Sequence, residues 1–149
     1  SVSFRSACRF CEAAPAQNPL LVCCAWPCGA PCRDGAGGCP AGWVISERAP
    51  NSAFDQRRFR ANLLLEVDGT KEPFPEQSWI GRELHIGEVV LKIVDTCPRC
   101  SMTTHATGDL PRDTNIMRHL VSEAEGNLGV YAKVISGGSI YANQAVEVK

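Results

Sequence analysis

One short motif in the sequence has residue types and a spacing that could do chemistry, Cys97-Pro98-Arg99-Cys100. The thiolate is the nucleophilic and metal-binding form of cysteine, and a neighbouring cation favours it. The motif directly follows residues 89–95, an apolar run that predicts a buried strand. At the end of a strand, Arg99 and nearby backbone amides could stabilise an ionised thiol.

A first interpretation of the motif is redox chemistry. A Cys-x-x-Cys sequence after a strand is typical of thioredoxin-like proteins. In that fold the motif lies near the start and opens a long helix. Here 96 residues precede Cys97, and Met102-Thr103-Thr104 makes a poor helix start, so the sequence disfavours this interpretation.

A second interpretation is a zinc site. Cys8 and Cys11, together with Cys97 and Cys100, would supply the four thiolates of a tetrahedral site. Cys28 and Cys32 offer a further half-site of the same kind. The 85 residues between the first two pairs give this assignment no support, and free thiols in an unstructured segment are the simpler expectation.

The cysteines divide the chain into two unlike parts. Residues 1–50 are rich in Cys, Pro, Gly and Ala, show no sustained period of 2 or 3.6 residues, and are predicted to be poorly ordered or divergent. Nine cysteines cannot all pair internally, which disfavours a secreted disulfide scaffold. Seven of them precede residue 40: Cys8, Cys11, Cys23, Cys24, Cys28, Cys32 and Cys39.

Residues 51–149 have the patterns of an ordinary globular domain. Strands are predicted over residues 61–67, 84–86, 89–95, 129–135 and 145–148, separated by turn sequences that include Asp68-Gly69 and Gly87-Glu88. Asp113 is a candidate cap for one clear helix, which Gly126 would end. Many short strands and one helix predict a β-barrel-like domain. The apolar face of the helix would be Ile116, Met117, Leu120, Val121 and Ala124.

Four blocks of this second part together resemble the C-terminal part of the MOSC domain, the C-terminal domain of molybdenum cofactor sulfurase. Arg-Arg-Phe-Arg-Ala-Asn-Leu at 57–63 is similar to the family's R-F-R-x-N segment. Cys-Pro-Arg-Cys-Ser-Met-Thr-Thr at 97–104 resembles its C-x-R-C-x-x-T-T segment. Trp-Ile-Gly at 79–81 with Leu-His-Ile-Gly-Glu at 84–88, and the segments around 128–131 and 138–140, follow the family's order.

The resemblance implies a mostly β fold with one or two helices, a MOSC-like β-barrel, and leaves open whether the N-terminal half of the barrel is complete. It implies molybdenum cofactor (molybdopterin) as the ligand, with Cys100 as the catalytic thiol and metal ligand. In those members of the family that reduce N-hydroxylated compounds, the cysteine at this position ligates molybdenum, and a soft thiolate suits that metal. The remaining cofactor-binding residues implied are Arg60, Asn62, Arg99, Thr103 and Thr104.

Two alternatives to such an enzyme stay open, as does whether the domain turns over a substrate at all. It could be a sulfur carrier with a persulfide on Cys100, or a cofactor-binding module without turnover. It could also be a zinc-stabilised binding protein that uses the N-terminal cysteines. Cys97 is expected to be structural or a resolving partner. The three histidines, His85, His105 and His119, are expected at the surface or in a satisfied core.

The balance of charge narrows the expected partners. With 15 basic and 16 acidic residues, nothing calls for nucleic acid or a membrane surface. The longest apolar run, residues 19–27, is too short to span a bilayer. A cytoplasmic protein is therefore expected, with a small-molecule substrate and an electron-donor or sulfur-donor protein as partners.

Overall fold

A computed structural model of the chain describes residues 4–8, 20–25, 51–67, 74–141 and 144–149. For the first two segments it describes the backbone alone. The predictions that concern Cys11, Cys28, Cys32 and the Asp68-Gly69 turn lie outside the described residues.

The seven strands of the described residues form a closed barrel in the order β1-β3-β2-β6-β5-β4-β7, because β1 pairs with both β3 and β7. Of the described pairings, β2 with β3 is parallel and the others are antiparallel. The prediction of a mostly β, barrel-like fold is confirmed. The strands are β1 Phe4–Cys8, β2 Leu20–Ala25, β3 Leu63–Val67, β4 Glu83–Ile86, β5 Val89–Pro98, β6 Asn127–Ser136 and β7 Ala145–Val148.

The N-terminal part of the chain contributes two of these strands, β1 and β2. Neither had been predicted, since the sequence before residue 51 has no clear alternation of apolar and polar residues. Their places in the barrel come from pairing with distant strands, as in the register of Cys8 with Leu63. The division of the chain at residue 50 into a poorly ordered segment and a separate domain stays a prediction.

The barrel interior is filled by apolar side chains that alternate along the strands. On β5, Val89, Leu91 and Ile93 are fully buried, as their spacing predicts. The opposite face is less covered than the prediction of a buried strand implies, because Val94 is 38% exposed. The buried members of this cluster are Leu63, Leu65, Trp79, Leu84, Ile86, Val89, Leu91, Ile93, Val130, Ala132, Ile140 and Val146.

A β-bulge interrupts the pairing of β5 with β6. Ile93 lies opposite Ala132, but Asp95 rather than Val94 lies opposite Tyr131, so Val94 is an extra residue on β5. A bulge of this kind exchanges the two faces for every residue that follows it. The residues of β5 beyond Val94 therefore present the opposite faces from those that a simple alternation predicts.

Within the described residues there is one α-helix, α1, which spans Asn115–Ala124. The Asp113 carboxylate accepts a hydrogen bond from the Asn115 amide at 2.9 Å, in keeping with its predicted capping role. Glu125 takes a left-handed conformation after the last helical residue, and the Gly126 amide then bonds back to the Leu120 carbonyl at 2.9 Å. Ile116, Leu120 and Ala124 are buried, as predicted for the apolar face of the helix. Val121 was predicted to belong to the same face, but this is wrong, because its side chain is 56% exposed.

A second layer covers one side of the barrel. We call residues 51–62 and 99–113, together with α1, the outer layer. Two short 3-10 helices, Gln56–Arg58 and Ser101–Thr104, belong to it. Its apolar cluster is smaller than that of the barrel interior. Its buried members, which include Leu128 of β6, are Phe54, Phe59, Ile116, Leu120 and Leu128.

Candidate functional site

The two cysteines of the motif occupy different environments. Cys97 is 3% exposed and packs against Ala61, Leu64 and Tyr131 on the outside of the barrel. The bulge at Val94 explains this position, because four residues after the inward-facing Ile93 an undisturbed strand would again point inward. Cys100, three residues further on, is exposed, and both thiols are free.

The Tyr131 phenol interacts with the buried thiol of Cys97. A hydrogen bond with Cys97 raises the pKa of the Tyr131 phenol above its ordinary value, and the negative charges that Cys97 and Cys100 can carry act in the same direction. The nearby charge of Arg99 opposes the rise. Cys97, Cys100 and Tyr131 are therefore close enough together for their charges to interact.

Cys100 lies between β5 and the 3-10 helix Ser101–Thr104, with an extended backbone. Its carbonyl accepts two hydrogen bonds from Thr103, one from the amide at 3.2 Å and one from the hydroxyl at 3.0 Å. The Thr104 hydroxyl likewise donates to the Ser101 carbonyl at 2.6 Å. Both threonines are buried, and their hydroxyl groups donate hydrogen bonds that stabilise this turn.

Arg99 faces the backbone of the outer layer. Its Nε donates to the Leu128 carbonyl at 2.8 Å, and its Nη1 donates to the Phe59 carbonyl at 2.9 Å. The guanidinium carbon also lies 5.4 Å from the centroid of the Phe59 ring. The predicted cofactor contacts of Arg99, Thr103 and Thr104 remain predictions, and the bonds that the structure describes for these side chains tie down the loop around Cys100.

An open cleft of about 660 Å³ lies beside this loop. Clefts of roughly 300–1,000 Å³ are usual for small-molecule and cofactor sites. The lining combines cationic and polar side chains with small or apolar ones, and Met102 belongs to it, two residues after Cys100. The lining residues are Arg57, Arg58, Arg60, Ala61, Asn62, Leu64, Met102, His105, Ala106 and Thr107.

Two of the three arginines in the cleft have their charge or donors engaged by the protein. Arg57 forms ion pairs with Asp55 at 2.9 Å and with Asp109 at 2.6 Å. Hydrogen bonding to these two carboxylates raises the pKa of Arg57, and the same contact lowers the pKa of each aspartate. Arg58 is buried and donates to backbone carbonyls, among them that of His105 at 2.9 Å.

Arg60 and Asn62 bring exposed polar side chains to the same cleft. Arg60 has a positive φ of 52°, which is uncommon for a residue with a side chain and turns the backbone between the 3-10 helix and β3. The structure thus brings together the two predicted pterin-binding residues. It places Cys100, the predicted metal ligand, on the loop next to the cleft and outside the set of lining residues.

His105 is the main lining residue that the sequence interpretation left without a role. It is exposed, as expected for a surface histidine, but it lies on the wall of the cleft. Its position five residues after Cys100 was the available signal. Arg57 and Arg58 were visible in the 57–63 block, but their partners lie in loops far away in sequence.

No group of three or more potential metal-binding side chains occurs within the part of the chain that the structure describes. The zinc hypothesis relies on cysteines outside that part, and it stays a prediction. Among the described helices, none combines the length and apolar character needed to cross a bilayer.

Comparison with known proteins bears on the fold and the family. A family model described as MOSC domain matches residues 43–147. A solved structure titled as a hypothetical protein is similar, with a TM-score of 0.57 and 15% identity, over 91% of this chain. The structure of YiiM from Geobacillus stearothermophilus is also similar, with a TM-score of 0.51 and 16% identity, over 85% of this chain.

This chain spans 53% of the length of each of those two proteins, so the likeness concerns about half of each. At these identities it shows the fold alone. No curated protein matches the chain significantly. The family model covers most of the sequence, including both the 57–63 block and the Cys97–Cys100 motif, and agrees with the resemblance in the residues. The chain therefore belongs to the MOSC domain family, whose members are associated with the molybdenum cofactor.

Proposed function

We propose that this domain binds molybdenum cofactor, with the Cys100 thiolate as metal ligand, and that it reduces N-hydroxylated small molecules. The observation that carries the proposal is an exposed thiol on a rigidly bonded turn next to a cleft that contains Arg60 and Asn62. The family association supports the cofactor. The substrate class comes from the resemblance to family members that carry the C-x-R-C motif.

The residues present fit such a cofactor in three respects. An exposed cysteine offers a soft donor, which suits molybdenum better than an oxygen ligand would. The cleft is large enough for a ligand of that size. Arg60 has no carboxylate among its described contacts, unlike Arg57, so its guanidinium is the one in the cleft best suited to a phosphate oxygen.

When bound, the cofactor supplies a metal centre that takes up and releases two electrons. The contribution of this chain is binding and orientation. The Cys100 turn would hold the metal at a fixed position, and Arg60 and Asn62 would orient the cofactor by hydrogen bonds. The apolar side chains of Leu64 and Met102 would exclude water from one side of the cleft. Electrons would come from a separate donor protein.

The test is elemental analysis of the full chain purified from a host that makes the cofactor. We expect about one molybdenum per chain in the wild type and loss of the metal in Cys100→Ser, because a hydroxyl is a poor ligand for a soft site. Cys97→Ala is the matched control, since Cys97 is buried and packs among apolar side chains.

A metal-free wild-type protein from such a host, or equal molybdenum content in Cys100→Ser, would refute the proposal. Zinc in place of molybdenum would favour the zinc-stabilised alternative. Reduction of an N-hydroxylated amidine with a chemical electron donor would then test turnover in the molybdenum-loaded protein.

A sulfur carrier is the second candidate, and the exposure of Cys100 favours it, because a sulfur donor must reach the thiol. In the balanced reaction, the Cys100 thiolate attacks the outer sulfur of a donor persulfide. The new S–S bond forms on Cys100, the donor's S–S bond breaks, and the donor leaves as its thiolate.

Trypsin can separate the two motif cysteines, because Lys92, Arg99 and Arg112 define peptides 93–99 and 100–112 with one cysteine each. After treatment with a low-molecular-weight persulfide, the carrier role predicts a gain of about 32 Da, one sulfur atom, on peptide 100–112 alone. An unmodified peptide 100–112, or equal labelling of both peptides, would exclude it.

A further inference from the structure

Arg58 is an extensively hydrogen-bonded side chain near the candidate site. It is 4% exposed, and its guanidinium donates to four backbone carbonyls. Nε reaches Ala53 at 3.1 Å and Nη2 reaches Pro111 at 2.6 Å. Nη1 reaches His105 at 2.9 Å and Thr103 at a longer 3.5 Å.

Three of these four carbonyls belong to the loop that follows Cys100, and the fourth belongs to the segment before the first 3-10 helix. Arg58 therefore joins residues 53–58 to residues 103–111. The loop is also closed across its ends, where the Asp113 amide donates to the Thr104 carbonyl at 2.9 Å. Both contacts restrict the same short stretch of backbone.

A path of hydrogen bonds connects this arginine to the backbone carbonyl of Cys100. Arg58 bonds to the Thr103 carbonyl, and Thr103 bonds through its amide and its hydroxyl to the Cys100 carbonyl. A planar guanidinium with five donors can satisfy several carbonyls at once. An ammonium group at this position has three donors on a single atom and cannot reach carbonyls on opposite sides.

We propose that Arg58 is a positioning residue for Cys100, because it fixes the backbone of residues 101–111. Through this loop it determines the positions of the Cys100 thiol and of His105, which lines the cleft. Arg58 acts through these carbonyls and does not itself need to touch a ligand. The inference rests on the proposed function only in taking Cys100 as the thiol that matters.

The first measurement is amide hydrogen exchange on the full chain, with Arg58→Lys and Arg58→Ala compared with the wild type. Five hydrogen-bonded amides in this stretch report on it directly: Thr103, His105, Thr107, Leu110 and Asp113. We expect their exchange to accelerate by at least about tenfold in both variants, the factor that corresponds to one lost charge-assisted hydrogen bond. Exchange in β4 and β5 should stay near the wild-type rate.

Two controls separate positioning from a general loss of stability. Arg118→Ala removes an exposed arginine of α1 whose described contact is a 3.3 Å bond to Asn115, and it should leave the loop amides unchanged. Val134→Ala weakens the packing against the barrel core, and it should lower the unfolding midpoint without selective exchange in the loop. Methylguanidinium added to Arg58→Ala should restore part of the lost protection.

The second measurement is the molybdenum content of the same variants. Arg58→Lys should retain less metal than Val134→Ala at the same fraction folded. A wild type without molybdenum would refute the proposed function, while the exchange data would still decide the role of Arg58. Unchanged loop exchange in both Arg58 variants would overturn the inference. Equal acceleration throughout the barrel, or failure of both variants to fold, would also overturn it, because Arg58 would then serve the whole fold.

Discussion

The barrel interior and the outer layer both contain buried apolar side chains, but they differ in how much polar contacts contribute. In the interior, fully buried side chains such as Leu84 and Leu91 pack against one another, and the stabilisation comes from apolar area removed from water. In the outer layer, Arg58 and Arg99 bond to carbonyls that are distant in sequence, and Arg57 forms ion pairs. The candidate chemistry thus depends on a region whose geometry is set by directional polar contacts, and each perturbation should act mainly on one of the two regions.

Truncation in the barrel interior should give the largest effect on stability. Leu91→Ala removes a fully buried side chain, and we expect a loss of about 2–5 kcal/mol in the free energy of unfolding. Urea denaturation followed by circular dichroism measures it. The tryptic peptide 100–112 of the folded variant should be alkylated at the wild-type rate. A loss below about 1 kcal/mol would mean that the interior is less tightly packed than its burial indicates.

Removal of Arg99 should have an intermediate effect. Arg99→Ala leaves the Leu128 and Phe59 carbonyls without their guanidinium donor and removes the contact with the Phe59 ring. We expect a loss of about 1.5–3 kcal/mol in urea denaturation, as for hydrogen bonds to charged groups. Arg118→Ala on the exposed face of α1 should stay within about 0.5 kcal/mol of the wild type. Equal losses for the two arginines would argue against the contrast between the regions.

The contact between Cys97 and Tyr131 lies where the barrel meets the outer layer, and it should be visible in a titration. Because the hydrogen bond with Cys97 raises the pKa of Tyr131, Cys97→Ala should bring that pKa down towards the ordinary value of 10.0. Near-ultraviolet absorbance of tyrosinate measures it, with Tyr141→Phe as background so that one tyrosine remains. An unchanged titration would contradict the contact.

The smallest effect expected is the acid sensitivity of the ion pairs around Arg57. Hydrogen bonds to Arg57 lower the pKa values of Asp55 and Asp109 below 3.8 in the folded protein. A lowered folded-state pKa adds stability that is present above the unfolded pKa and is lost as the pH falls through the folded value. Exchange at the Thr107 and Leu110 amides should therefore increase as the pH falls below about 4, after correction for the intrinsic rate.

Asp109→Asn supplies the control for this acid effect. It removes one of the two carboxylates, so the corrected exchange should already be faster at neutral pH and should change less on acidification. Since Asp109 is well exposed, salt should weaken the same contact. Identical pH profiles for the variant and the wild type would show that the ion pair does not hold the loop.

Alternation of apolar and polar residues along the sequence was enough to predict some of the strands. The last strand, Ala145–Val148, has the predicted bounds, and the inward face of β5 follows its alternation. The extra residue at Val94 could not be predicted, because a bulge is defined by the register of the partner strand β6. For the same reason, nothing in the sequence indicated that Cys97 would face Tyr131 rather than the barrel interior.

The candidate site was predicted in parts rather than as a whole. The resemblance identified Arg60 and Asn62, which do line one cleft, and Cys100, which is exposed beside it. The bonding of Arg58 could not be anticipated, because its acceptors are main-chain carbonyls, which carry no residue-type signal. The sequence does not predict strands β1 and β2, since their pairing partners lie 41 residues or more away and the local sequence has no period.

The pairing of β1 with β7 has a consequence for how the protein folds. Phe4 lies opposite Val146, so two segments that are 142 residues apart in the sequence must meet before the barrel is complete. The loop-closure entropy of such a contact is paid before its hydrogen bonds form, which makes a topology of this kind slow to fold. During synthesis, the hairpin of β4 and β5 can assemble while β1 still has an unpaired edge. That edge is the point at which a growing chain would be most open to pairing with a neighbour.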